Sequence, residues 1–277
     1  MHGTSSIAAI DVHGHYGRYV RTGGDGLSDS FCSGDAAEVV RRATAVGIVT
    51  TIVSPLSALL PRFQADAVAG NVEAARVVAG TPGLKQYVVI DPRRAETYDQ
   101  AAEMLEQPQC VGIKIHPEEH GYQIREHARP IFEFAARRRA IVLTHNSEQN
   151  SQAADFIPWV NEFPEVRLIL AHIGCGWDND PTHQVRAIQQ SRHGNVFADT
   201  SSARSIFPGL IEWAVGEVGA DRVLFGTDTP LYHAAMQRAR IDQAELSAEI
   251  KRQILRENAL RLFGPALEER PASPARQ

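Results

Sequence analysis

The sequence predicts an α/β protein built as one (β/α)₈ TIM barrel, and three observations carry that prediction. Eight short β-rich runs alternate with longer amphipathic stretches along nearly the whole chain. The runs are apolar on both faces, as strands of a parallel sheet covered by helical crossovers must be. The length, 277 residues, suits a barrel that needs roughly 250. No glycine-rich phosphate loop follows any of the runs, which weakens the case for an open doubly wound sheet.

The strand candidates are, in order, "IAAIDVH", "IVTTIVSP", "LKQYVVID", "CVGIKIH", "AIVLTH", "VRLILAH", "NVFADTS" and "RVLFGTD". Each is short, rich in β-branched residues and closed by a polar or turn residue. Between them "DAAEVVRRATAVG", "ADAVAGNVEAARVVAG", "AETYDQAAEMLEQ", "EHARPIFEFAARRR", "QAADFIPWVNEF" and "FPGLIEWAVGEVG" carry apolar residues at helical spacing. A last helix is expected from about Ala244 to Phe263, stopped by Gly264-Pro265. The expected organisation is a barrel over 1–264 and a polar, Pro-containing mobile tail over 265–277.

Composition narrows the function classes. A net charge of −5 gives no electrostatic reason for a nucleic acid or an anionic membrane as partner. The apolar runs are far shorter than the ~20 residues that span a bilayer, and the first residues lack the pattern of a secretory leader. Three separated cysteines imply no disulfide framework. The expectation is a cytoplasmic protein with a small-molecule partner, a carboxylated one included, and with homo-oligomers left open.

The polar residues fall in a pattern. His13 and His15 end the first run, Lys114 and His116 the fourth, His145 the fifth, His172 the sixth and Asp228 the eighth. In a barrel of this kind the C-terminal strand ends carry the active site. A single histidine at a strand end is usually a packing residue. Five such ends bearing metal-ligand or acid–base side chains point instead to a metal centre. Strand side chains repeat every two residues, so His13 and His15 face the same way and form a pincer for a divalent ion. Gly14 between them spares the barrel wall a side chain. By position, His145 and Asp228 would complete the set. Asp11 is expected to point inward beneath the two histidines as a hydrogen-bonding support. His2, His120, His127, His183 and His193 are expected to face solvent. Tyr16, Arg18, Trp177, Arg204 and His233 are the loop residues that would shape substrate choice, with Arg204 able to grip a carboxylate and the stretch 18–35 a candidate lid.

The motifs "DVHGH", "GIKIHP", "LTHN", "LILAHIG", "VLFGTDTP" and "ILRENALRLFG" resemble the amidohydrolase superfamily. Within it they are similar to the amidohydrolase-2 branch, which includes aminocarboxymuconate-semialdehyde decarboxylase and lactone hydrolases. The resemblance covers Ile10 to Gly264. It implies one divalent metal per chain, zinc or else manganese, held by His13, His15, His145 and Asp228. It implies His172 as catalytic residue; from the chemistry of such a site Asp228 would accept a proton, and by position Lys114, His116, Arg204 and Trp177 would lie near the substrate. A carboxylated Lys114 would instead imply a second metal with His172 as ligand; an unmodified amine is expected. The favoured activity is hydrolysis of a small amide, ester or lactone by a metal-activated water. The alternatives are non-oxidative decarboxylation or hydration of a carboxylated unsaturated substrate, and a non-catalytic metal-binding barrel.

Overall fold

The computed structural model describes residues 7–267. All eight predicted strands are present: β1 (Ala9–Tyr16), β2 (Ile48–Pro55), β3 (Leu84–Val89), β4 (Cys110–Ile115), β5 (Ile141–Thr144), β6 (Arg167–Leu170), β7 (Val196–Asp199) and β8 (Val223–Leu224). They form one sheet in sequential order with every neighbouring pair parallel. Backbone bonds join the last strand to the first. Val12 N–H donates to Phe225 O at 2.9 Å, His15 N–H to Thr229 O at 2.6 Å and Asp228 N–H to His13 O at 2.7 Å. The chain is therefore a (β/α)₈ barrel, and the bonds that close it run through the residues of the predicted pincer.

Helices Ala36–Thr44, Ala67–Ala79, Ala95–Met104, Ile124–Arg138 and Leu210–Val218 occupy the amphipathic stretches. Asp35 and Asp66 start the first two by accepting backbone N–H groups with their carboxylates. The stretch after β5 divides into a 3₁₀ turn, Ala153–Phe156, and the helix Ile157–Glu162. Helices His183–Gln190 and Ala234–Asp242 were not expected; each is short, with only a few apolar positions. The C-terminal helix starts at Ala248, because the Ser247 side chain caps it, and a π-helical turn at Gln253–Glu257 carries it to Phe263. The turn beyond it is packed, since Leu267 is buried with Ile10, Leu262 and Phe263 at the barrel floor. The remaining tail, 268–277, and His2 lie outside the described residues.

The barrel interior is filled by Ile10, Val12, Ile52, Tyr87, Leu143, Ile169, Phe197 and Leu224. Ile10 and Val12 in this set correct the simple alternation expected of the first strand. The β1–β2 register slips between Asp11 and Gly14, a bulge of the kind that re-aims side chains beside functional sites. His13 and His15 thus reach the mouth, and Asp11 lies behind them against the chain just beyond β8. The Asp11 carboxylate accepts from Thr227 N–H, Thr227 O–H and His13 N–H. It supports the backbone of the pincer and not its rings.

A Cβ on Gly14 would stand 2.5 Å from Thr51 Cγ2 and 3.2 Å from Thr229 Cγ2. Gly14→Ala should therefore cost about 1–3 kcal/mol in urea unfolding, the usual penalty of overpacking. Thr51→Ser, which removes the opposing methyl, should recover much of that loss. Full stability in Gly14→Ala alone would contradict the close fit.

Candidate metal centre

Side chains from β1, β4 and β7 and from the chain just beyond β6 and β8 converge at the mouth. His13, His15, Lys114, His172, Asp199 and Asp228 are all buried. His15 Nε2 lies 3.0 Å and His13 Nε2 3.5 Å from Asp228 Oδ1, and one ligand atom from each of the three residues lies within 4.8 Å of the others. Lys114 Nζ is 2.9 Å from His13 Nε2. Two of these residues, His172 and Asp228, have left-handed backbone, with φ of 70° and 56°. Such conformations are costly for residues with a Cβ and are held by surrounding bonds. Here Asp228 N–H donates to His13 O, and His172 N–H to Asp199 Oδ1 at 3.1 Å.

Asp199 is the site residue that the sequence reading missed. It ends the seventh apolar run just as the histidines end theirs, and that was its available signal. Its Oδ2 lies 3.0 Å from His13 Nδ1, while its Oδ1 accepts from His172 N–H, Ser201 N–H and the Ser201 hydroxyl. Gly226 makes room for this approach, since a Cβ there would stand 3.1 Å from both Asp199 Cγ and His13 Cβ. His15 Nδ1 in turn lies 3.0 Å from Ser54 O. A carbonyl and a carboxylate can only accept, so both rings carry a proton on Nδ1, and Nε2 is the atom each turns to the mouth. That is how outer partners set the tautomer of metal-binding histidines.

The electrostatics agree. Burial pushes Lys114 down to about 8 and His172 down to about 3. His13 is lowered as well, by burial and then by Lys114. Burial opposes charge on Asp199 and Asp228, but the neighbouring imidazoles outweigh it and hold both carboxylates well below the usual range. At the mouth a neutral His172 imidazole thus stands beside two charged carboxylates and the Lys114 ammonium.

The other predicted residues are placed as follows. His145 lies outside the tight cluster: its Nε2 is 2.7 Å from Glu148 Oε1, and its ring stacks on His116 at 4.1 Å and meets His172 edge-on at 5.1 Å. His116 caps the short helix Pro117–His120 through Nδ1, at 3.3 Å from Glu119 N. Arg204 donates to Asn179 Oδ1 at 2.7 Å, Trp177 is 57% exposed, and Tyr16 is buried, not a loop residue. His120 is a correction. It is buried, with Nε2 2.9 Å from Ala58 O, because it closes a one-turn helix against the short helix Leu56–Leu59 that follows β2. His183 and His127 are partly buried, His183 pairing with Asp178; His193 is exposed. The stretch after β1 is fastened by a Gly17–Gly34 bridge and an Arg21–Asp29 ion pair.

The donor set fits a divalent ion. With Nδ1 committed as donor, His15 turns Nε2 toward the Asp228 carboxylate at 3.0 Å, a spacing at which both can ligate one cation. The second grouping of possible ligands, His13, His172 and Asp199, does not fit one, because the Ser201 hydroxyl already bonds all three.

The amidohydrolase family model matches residues 10–264. The chain belongs to the amidohydrolase family. A search of curated proteins returns no match. Among solved structures this amidohydrolase is similar to 5-carboxyvanillate decarboxylase from Sphingomonas paucimobilis, with a TM-score of 0.72, 15% identity and coverage of 93% of this chain and 99% of that one. A 2,6-dihydroxybenzoate decarboxylase from Rhizobium gives 0.71 at 16% identity, covering 92% and 98%. A dihydroxybenzoic acid decarboxylase from Polaromonas sp. JS666, with bound manganese and 2-nitroresorcinol, gives 0.70 at 17% identity, covering 93% and 97%. At these identities the likeness is one of fold. No helix among the described residues is long and apolar enough to cross a membrane.

Two outcomes follow for the purified amidohydrolase. A divalent ion at one hundred times its Kd should raise stability by about 2.7 kcal/mol, read as a higher Tm; His13→Ala, His15→Ala and Asp228→Ala should each abolish that shift. Asp199→Asn can present an amide donor to His13 Nδ1 and so turn the ring's proton toward the mouth. It should weaken metal binding by about 10- to 100-fold by calorimetric titration, and unchanged affinity would contradict the tautomer assignment.

Proposed function

We propose that this amidohydrolase is a metal-dependent, non-oxidative decarboxylase of a small carboxylated aromatic or unsaturated acid. The observation that carries the reading is the buried convergence of His13 Nε2, His15 Nε2 and the Asp228 carboxylate at the mouth of this barrel. The barrel fold is shared with decarboxylases of carboxylated phenols, some of them holding manganese. His13, His15 and Asp228 would hold the ion, manganese or zinc, with His145 joining them if its ring leaves Glu148. When bound, the ion supplies a Lewis acid that polarises the substrate's oxygens.

The remaining steps belong to the chain. His13 cannot give the same Nε2 lone pair to both an ion and Lys114, so with His13 as ligand the Lys114 ammonium would be free to pair with a substrate carboxylate. Asp228, charged and beside the substrate, can take up a proton as the substrate hydroxyl ionises. It then returns that proton to the carbon from which carbon dioxide leaves, so one proton replaces one carboxyl group. His172, neutral with Nε2 toward the mouth, accepts a hydrogen bond from the substrate and keeps it aligned. His116, Trp177 and Arg204 are proposed to line the approach. The burial of the mouth excludes bulk water and strengthens each of these interactions.

Hydrolysis is the second reading, and one observation favours it. Asp228 is held as the anion, the form that accepts a proton from an attacking water. Metal-loaded protein should be screened against hydroxybenzoates, carboxylated muconate-like acids, lactones and esters. The expected result is one carbon dioxide per substrate consumed, with Asp228→Asn slower by about 10² to 10⁴-fold. Acid release from a lactone or ester without carbon dioxide would overturn decarboxylation in favour of hydrolysis.

A further inference from the structure

Among the described residues Ser201 is the one hydroxyl that touches both a proposed ligand and the proposed catalytic histidine. Its Oγ lies 2.9 Å from His13 Nδ1 and 2.8 Å from His172 Nδ1, and it donates to Asp199 Oδ1. Counting protons assigns the whole network. A hydroxyl has one proton, and the carboxylate, which is the charged acceptor and the closest contact, takes it. The Ser201 oxygen then faces both rings with lone pairs only. Either Nδ1 left bare would set lone pair against lone pair at hydrogen-bond distance. Both rings must therefore carry their proton on Nδ1. His13 has a second acceptor for it in Asp199 Oδ2, at 3.0 Å. No second side-chain or backbone acceptor lies at His172 Nδ1 among the hydrogen bonds of the described residues, so its tautomer depends on Ser201.

We infer that Ser201 is a positioning residue: its hydroxyl, oriented by Asp199, locks His172 as the Nδ1–H tautomer and so presents a bare Nε2 to the substrate. The bare Nε2 can accept a hydrogen bond or a proton. It cannot serve as the neutral donor that His172 would be in the Nε2–H form, the one an unrestrained imidazole prefers. The inference deepens the functional proposal by fixing the sense of the His172 contact. It rests on that reading only for the substrate's part in it, because the tautomer exists without substrate.

The test is nitrogen-15 NMR of histidine-labelled protein at one mildly alkaline pH, with His172→Gln identifying the His172 signals among the eleven histidines. The wild type should show Nδ1–H at both His13 and His172. In Ser201→Ala, His172 should revert to predominantly Nε2–H while His13 keeps Nδ1–H, and Ser201→Thr should restore the wild-type pattern. Metal affinity in Ser201→Ala should stay within about threefold of wild type, while turnover on any substrate found falls by about 10- to 100-fold. Nε2–H at His172 in the wild type would overturn the inference, and that spectrum needs no variant to fold. So would Nδ1–H persisting at His172 in a folded Ser201→Ala, or a Thr variant that behaves as Ala does. Because the spectra and the metal titration use no substrate, they stand or fall independently of decarboxylation.

Discussion

The Asp199 carboxylate is the fixed point of the barrel mouth. A fully buried carboxylate is tolerable only when its lone pairs are satisfied, and four groups satisfy this one: the His13 ring, the His172 N–H, and the N–H and hydroxyl of Ser201. Those contacts join β1, the end of β6 and the end of β7. Removing the carboxylate would leave the His172 and Ser201 donors buried and unpaired, at about 1–3 kcal/mol each. It would also free the His13 ring to turn. The metal pincer and the His172 backbone thus share one anchor.

Around that anchor the barrel stores strain where the chemistry is. His172 and Asp228 are both left-handed, which lets them turn into the mouth just where their strands end. Each is held by a bond to a different strand, His172 by Asp199 on β7 and Asp228 by the His13 carbonyl on β1. The bulge in β1 and the missing side chains at Gly14 and Gly226 serve the same end, bringing the two edges of the closing barrel close enough for side chains from both to share one ion. The residues that close the barrel and the residues that would bind the ion are the same stretch of chain.

Much of this was legible in the sequence because it depends on short-range pattern. Apolar runs fix strands, polar residues ending them mark the mouth, and the spacing of "DVHGH" places both histidines there together. What could not be read depends on the third dimension. The β1 bulge arises from pairing with β2 and leaves no mark in an alternation that looks regular. His120 reads as a loop residue and is buried because a one-turn helix folds it under the chain after β2. Asp199 was legible and overlooked: it closes "NVFAD" as His172 closes "LILAH". The engagement of His145 by Glu148, three residues on, depends on side-chain orientation in a loop that no periodicity describes.

The central claim is that His13, His15 and Asp228 make one metal site whose imidazoles bind through Nε2, with Asp199 and Ser201 behind them. A crystal structure of the metal-loaded protein, with the ion located by its anomalous scattering, tests this most directly. The account predicts a single ion bonded to Nε2 of His13, Nε2 of His15 and a carboxylate oxygen of Asp228, with the Asp199–Ser201 bonds intact and Lys114 drawn away from His13. An ion bonded to Nδ1 of His13 or to Asp199, or a pair of ions bridged through Lys114, would contradict it.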